Sequence, residues 1–167
     1  DSTHKNLKFT LREAKNKAAL LIACADISGM WSLDKVTAAL TELAERSLRI
    51  TLNALLLVAG QRGEIAVRNM DDPPIDIGIY ILGIGKLGRY ELIYSSDIDL
   101  IIFFERDRLE YKGRQNEQHF MNKLAHELVQ IMQERTAEGY VFRTDLRLRP
   151  DPASTPPAIN TDAAYYY

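Results

Sequence analysis

Cysteine is nearly absent from this chain. The single Cys24 excludes an internal disulfide and fits a reducing cytosol. Set within Ala18–Ala25, it reads as a plain buried thiol. Long hydrophobic runs are missing too. The longest, such as Ala54–Ala59 and Ile98–Phe104, fall far short of the about 20 residues that cross a membrane. No charged-then-apolar leader opens the chain, so nothing signals export. Charge of one sign is also lacking: a formal net charge of −2 argues against a bulk nucleic-acid binder, which needs a basic excess to meet phosphates. There is no internal repeat and no low-complexity tract. Histidine is sparse, and His119 and His126, on roughly one helix face, have no third ligand that would make them a metal site. What remains is 46% hydrophobic and 26% charged, the composition of a globular chain. Its 167 residues suffice for one sizeable domain, or for a core domain with a helical appendage. The chain opens at Asp1 without a methionine and stops in Tyr165-Tyr166-Tyr167, and so reads as a piece of something longer.

The first third is patterned for helix. Leu11, Ala14, Ala18, Leu21, Ile22 and Ala25 recur at steps of three and four, until Ser28-Gly29 breaks the pattern. Ser32 then offers an N-cap, with Trp31 and Val36 placed as a hydrophobic staple. The apolar stripe continues through Leu40, Leu43, Leu48, Leu52 and Leu55 to Gly60 or Gly63. Residues 1–63 therefore read as an antiparallel helix pair, and 64–74, with Asp71-Asp72-Pro73-Pro74, as a connector. From residue 75 to 167 the character changes. Ile75–Leu82 and Ile98–Phe104 read as strands, and Glu105–Gln118 as an exposed charged loop. Phe120, Leu124, Leu128, Ile131 and Met132 trace one face of a helix that Gly139 would cap. A third strand is expected over Tyr140–Arg149. There Phe142, Thr144, Leu146 and Leu148 would share one face, and Arg143, Asp145, Arg147 and Arg149 the other. The expected class is α+β: a small mixed sheet with helices, preceded by a helix pair.

Two short patterns carry chemistry. Gly83-Ile84-Gly85-Lys86-Leu87-Gly88 fits the G-x-G-x-x-G form of a dinucleotide-binding turn. That reading fails on spacing. Only Arg89–Ser96 separate the turn from Asp97, too few for the crossover helix of a parallel unit, so the next strand pairs by a tighter, antiparallel route. The glycines keep another use. A backbone without Cβ atoms lets N–H groups approach a phosphate, with Lys86 as a point charge beside them. They would equally serve a tight turn with a solvent-exposed lysine.

The second pattern is Asp97-Ile98-Asp99 at the mouth of an apolar run. Two residues apart on a strand, both carboxylates leave one face, and they repel unless something positive lies between them. Mg2+ suits such a pair, because it takes one or two carboxylates together with phosphate oxygens. Asp145 lies on the polar face of the next strand; if that strand pairs beside the first, three acids converge, enough for two metals about 3.5–4 Å apart. Arg143, Arg147 and Arg149 share that face and suit phosphate charge. The plainer alternative is a surface acid pair, with Asp145 in an ion pair with Arg143 or Arg147. A Gly-Lys loop, a D-x-D strand and a later aspartate resemble, in that order, the polymerase-β-like nucleotidyltransferases.

The match becomes closer over longer stretches. GKLGRYELIYSSDIDLIIFF followed by FRTDLRLRPDP resembles the bacterial glutamine synthetase adenylyltransferase/adenylyl-removing enzyme family, whose motif runs approximately GKLGGxELNYxSDIDLIF and then D-x-R-L-R-P. The helical stretch Leu11–Gly60 also looks like the helices that precede the family's catalytic domain, so the resemblance covers nearly the whole chain. Two positions depart: the family's second glycine is Arg89 here, and its asparagine is Ile93. The resemblance implies Asp97, Asp99 and Asp145 as catalytic and metal-binding residues for Mg2+, with two ions expected. It implies Gly85, Lys86, Gly88, Ser96 and Arg147 as the residues meeting phosphate or nucleotide. Proteins of this family carry two such domains. One attaches AMP from ATP to a tyrosine of glutamine synthetase; the other removes it by phosphorolysis and releases ADP. The signal protein PII and glutamine bias the two. The residue two before the later aspartate is usually arginine in the removing half and glutamate in the attaching half. Arg143, together with the closing DAAYYY, resembles the removing half. The expectation is therefore a cytoplasmic deadenylylating nucleotidyltransferase. The attaching half, and a non-catalytic module binding nucleotide or PII, are the alternatives.

Overall fold

The structure, a computed structural model, describes residues 2–148 and 155–164. Two long helices open it, α1 (Ser2–Ile27) and α2 (Leu33–Gln61). Ser32 caps α2 as expected, its Oγ accepting from the Lys35 N–H at 3.4 Å, while Trp31 and Val36 pack into the core. The α2 stripe is buried at Val36, Leu40, Leu48, Leu52 and Leu55. The α1 stripe is not so regular. Leu11, Ile22 and Ala25 are buried, but Ala14 is exposed and Leu21 is 71% exposed. Cys24 also lies on the outer face, contrary to the buried thiol expected. With Ile22 and Ala25 turned inward, Cys24 falls on the opposite side of the helical wheel and faces solvent. The inward place beside Leu11 belongs instead to a charge. Arg12 is fully buried, donating from Nε to the Gly139 carbonyl at 2.9 Å, from Nη1 to Lys8 at 2.8 Å, and from Nη2 to Ile131 at 3.1 Å and to Glu134.

Residues 73–76 form one helical turn, α3 (Pro73–Asp76), so the strand expected from Ile75 begins only at Ile79. Prolines in the first turn preset the helical φ, and the Asp76 carboxylate holds the connector by accepting from the N–H groups of Arg68 at 2.8 Å and Asn69 at 3.2 Å. β1 (Ile79–Ile84) then pairs antiparallel with β2 (Ile98–Phe104), in register from Ile79↔Phe104 to Ile84↔Asp99. The short route between them holds one turn of helix, α4 (Gly85–Gly88). Beyond β2, residues 105–116 are irregular yet anchored: Leu109 is buried, and the Tyr111 ring meets Phe120 with centroids 5.0 Å apart. Asn116 caps α5 (Glu117–Gln133) through its Oδ1, which accepts from the His119 N–H at 2.8 Å. Gly139 does not cap this helix, which ends at Gln133; it closes the following turn with Thr136.

The third strand is much shorter than its alternation suggests. β3 is Thr144–Asp145 alone, parallel to β2. Its ladder stops because the Arg147 N–H donates to Asp145 Oδ1 at 2.7 Å, a local bond that turns the chain out of the sheet and leaves Leu148 51% exposed. Arg149 and the three final tyrosines lie outside the described residues. β4 (Ala158–Asn160), also parallel to β2, and the turn α6 (Thr161–Ala164) complete the element order. The result is α+β: helices first, then a four-stranded mixed sheet. Ile98, Leu100, Ile102 and Phe104 face inward, each no more than 1% exposed, and join one core with α1, α2 and α5. Among the described residues no helix is long and apolar enough to cross a membrane.

Candidate active site

Strand alternation places Asp97, Asp99, Ile101 and Phe103 on the face of β2 opposite the core. The parallel ladder sets Asp145 level with Asp99, so the two carboxylates stand on neighbouring strands about 4.8 Å apart in backbone. Asp97 precedes β2 on the same side. The three expected acids thus lie side by side, and Asp99 registers the crowding. Burial first, then Asp145 and Asp97, push its carboxyl above the ordinary aspartate range, against a partial offset from Arg147.

Two guanidiniums answer this charge. Arg143 Nε pairs with Asp97, and its Nη2 donates to the Ser95 carbonyl at 2.7 Å. Arg147 grips Asp145 through Nε, 3.0 Å from both oxygens, and through Nη2 at 2.6 Å. Both arginines are held more firmly protonated than usual, chiefly by the hydrogen bonds to these carboxylates. The ion pair of the plainer sequence reading therefore exists, at the same place as the acid cluster.

Oxygen donors in this number are the chemistry of a hard divalent cation, and among the described residues neither arginine forms an ion pair with Asp99. Asp97, Asp99 and Asp145 fit Mg2+ in kind and in strand register. Among the described residues, however, no three acidic, histidine or cysteine side chains already form a metal-holding group. Asp97 and Asp145 are instead turned to Arg143 and Arg147.

The glycine turn packs against this cluster. Gly85 adopts φ +59, and a Cβ there would stand 3.0 Å from Asp99 Oδ2. At Gly88 a Cβ would fall 2.5 Å from the Gly83 carbonyl oxygen, so α4 folds back onto the end of β1. Lys86, between them, is exposed. The Ser96 hydroxyl is engaged locally, accepting from the Ile93 N–H at 3.2 Å in the turn that leads into Asp97. Both departures from the family motif fit without strain. Arg89 sits at φ −94, ψ −1, the negative-φ conformation that L-residues take in turns, and Ile93 contributes to its turn through backbone groups. Among the described residues the one positive-φ non-glycine is Tyr90, at φ 61, whose hydroxyl donates to Glu45 of α2 at 2.9 Å. Sequence reasoning missed the Ser95 carbonyl, because a backbone acceptor leaves no residue-type signal. A cavity of about 470 Å³ between α2 and β1, lined by Leu48, Leu52, Ile81 and Leu87 with Glu45, Arg49 and Asp72, has none of Asp97, Asp99 and Asp145 in its wall.

Comparison with known proteins now bears on this arrangement. The family model for glutamate-ammonia ligase adenylyltransferase matches residues 2–167. A bifunctional glutamine synthetase adenylyltransferase/adenylyl-removing enzyme of Bradyrhizobium sp. strain BTAi1 is 48% identical over 157 residues, 94% of this chain and 16% of that protein. Proteins of the same description from Rhodopseudomonas palustris strain TIE-1 and Xanthobacter autotrophicus are 46% and 45% identical, over 99% and 94% of this chain. The chain spans 16% or 17% of the length of these relatives. With its acid-bearing strands, its glycine turn and its preceding helices all inside the matched region, the chain belongs to the glutamate-ammonia ligase adenylyltransferase family.

Proposed function

We propose that this chain carries a nucleotidyltransferase site of the adenylyl-removing kind, acting on the adenylylated tyrosine of glutamine synthetase. The observation that carries the reading is Arg143 against Asp97: a guanidinium inside the acid cluster, where an incoming inorganic phosphate needs a cation. In the proposed reaction a phosphate oxygen attacks the adenylyl phosphorus. A new P–O–P bond forms, the bond to the tyrosine oxygen breaks, and ADP leaves while the tyrosine oxygen takes up a proton. Asp97, Asp99 and Asp145 would hold Mg2+, with two ions expected, which when bound supplies neutralisation of the phosphate oxygens as charge builds. Arg143 and Arg147 orient the anions, and Gly85, Lys86 and Gly88 form the wall that phosphate approaches. Ser96 fixes the turn from which Asp97 projects. Glutamine synthetase is the expected macromolecular partner and PII the expected regulator in the longer protein, in a cytoplasmic setting.

The test is incubation with adenylylated glutamine synthetase, inorganic phosphate and Mg2+, following ADP. ADP formation that depends on phosphate, and that falls by about a hundredfold or more in Asp97→Asn, is the expected result. Pyrophosphate formed from ATP instead would assign the attaching reaction. Unchanged turnover in Asp97→Asn would remove the acids from the chemistry.

A further inference from the structure

The acid cluster is balanced unevenly, and the imbalance has a direction. Asp97 pairs with Arg143 and Asp145 with Arg147, while among the described residues neither arginine bonds Asp99. Both guanidiniums reach solvent: the Arg147 side chain is 82% exposed against 19% for Asp145, while Arg143 and Asp97 are about equally exposed, at 52% and 50%. Exposed pairs of this type are weak, and a guanidinium fork matches phosphate as well as it matches carboxylate. The backbone beneath them is fixed independently. The Arg143 carbonyl accepts from the Ile98 N–H at 2.9 Å, and the Arg147 backbone N–H, not its guanidinium, donates to Asp145 Oδ1 at 2.7 Å. Either arginine can therefore leave its carboxylate by side-chain rotation, Arg143 giving up the Ser95 carbonyl as well, with β3 left in place.

Charge gives the exchange its logic. Three carboxylates and two guanidiniums leave one net negative charge. A divalent cation alone would make the cluster net positive while competing with both arginines. A phosphate dianion alone would add two negative charges beside an already strained Asp99. One divalent cation and one phosphate dianion together restore the starting balance, and a second cation would leave one net positive charge.

Resting on the phosphate-using reading above, we infer that Arg143 and Arg147 are exchangeable counter-ions: a phosphate anion draws them off Asp97 and Asp145, and the freed carboxylates take the divalent cation. Anion and cation then bind cooperatively, each by the same factor on the other, since coupling between sites is reciprocal. The two arginines are thereby a gate on metal loading as well as an anion clamp, and a site without phosphate stays largely metal-free.

The experiment is a Mn2+ titration of the 167-residue chain, with free Mn2+ read by electron paramagnetic resonance, without inorganic phosphate and with enough to leave Mn2+ in solution. Phosphate is expected to tighten Mn2+ binding by about tenfold in the unsubstituted chain. In Arg143→Gln and Arg147→Gln, Mn2+ should bind more tightly without phosphate, and the effect of phosphate should shrink to about twofold or less. In parallel, the Arg143 Nε–H resonance should shift when phosphate and Mg2+ are added together. Mn2+ binding that needs Asp99, lost in Asp99→Asn, but is unmoved by phosphate would overturn the exchange and leave the site reading standing. A phosphate effect undiminished in both arginine variants would also overturn it, since coupling would then run by direct contact of anion and metal. Mn2+ binding unaffected by Asp99→Asn would remove the underlying site and the exchange with it.

Discussion

At the scale of single residues, the conformation of the glycine turn decides which substitutions matter. Gly88→Ala would drive a Cβ to 2.5 Å from the Gly83 oxygen, backbone against backbone, where neither side can yield cheaply. Overpacking of this sort costs about 1–3 kcal/mol, and a chemical denaturation curve should show it. Arg89→Gly, which restores the residue usual in the family, should do the opposite of rescue. Arg89 occupies an ordinary right-handed conformation, so glycine there only frees the unfolded chain and costs about 0.5–1 kcal/mol. Asp76 makes a pH prediction. Chiefly the hydrogen bond from the Arg68 N–H, then that from Asn69, hold its carboxyl below the usual aspartate range. A folded-state value below the unfolded one adds stability above the unfolded value, near 3.9, and that stability is lost as pH falls through the folded value. Asp76→Asn should therefore melt earlier than the parent at pH 6, and the gap between the two melting temperatures should close in acid. A gap constant with pH would show that the carboxylate charge is not what holds the connector.

At the scale of elements, Arg12 is the joint between α1 and the path into the site. Its guanidinium collects carbonyls at the end of α5 and at Gly139, and a few residues on Val141 and Phe142 donate to the Met132 carbonyl before the chain enters β3. Arg12→Met would strand several buried carbonyls, at about 3 kcal/mol, or roughly 6–12 °C in Tm for a chain of this size. Arg12→Lys should recover little, because a point charge cannot reach four separated acceptors. Nothing in the sequence marks this residue apart from a charge beside Leu11 in an apolar stripe. What the sequence does show are the elements whose period is long and whose caps are local: α2 with Ser32, α5, and the apolar run of β2 between inward and outward faces. It misplaces elements whose ends are set by tertiary or side-chain bonds. β1 starts late because Pro73 and Asp76 complete a turn first, and β3 ends early because the Arg147 N–H prefers Asp145 to a neighbouring strand. For the acids, spacing gave Asp97 and Asp99 one face, while Asp145 could join them only if its strand paired beside β2, as it does. Spacing left open whether a metal or an arginine would meet them, since both chemistries ask for the same carboxylates.

At the scale of the whole molecule, the helical layer and the sheet behave as one cooperative unit, and this is open to direct test. The buried cluster runs without interruption from Leu11 through α2 into β2 and α5. On α2 alone, Leu40, Leu48, Leu52, Leu55 and Leu56 are at most 5% exposed. At about 2 kcal/mol for each buried leucine, their contribution is comparable with the entire net stability of a typical domain, about 5–15 kcal/mol. Polar ties run along the same boundary. The Tyr94 hydroxyl donates to Asp26 at 3.1 Å, the Leu92 N–H to the Thr41 hydroxyl at 3.4 Å, and the Tyr90 hydroxyl to Glu45. All three lie in the segment that delivers the chain from the glycine turn to Asp97, so the helices fix the entry to the acid strand as well as its core face. A chain beginning at residue 64 should therefore fail to fold, giving collapsed amide dispersion in a nitrogen–proton correlation spectrum and no cooperative melt. Dispersed resonances and a sharp transition from that shorter chain would show instead that β1, β2 and α5 sustain a core of their own, and that α1 and α2 serve the site only by packing beside it.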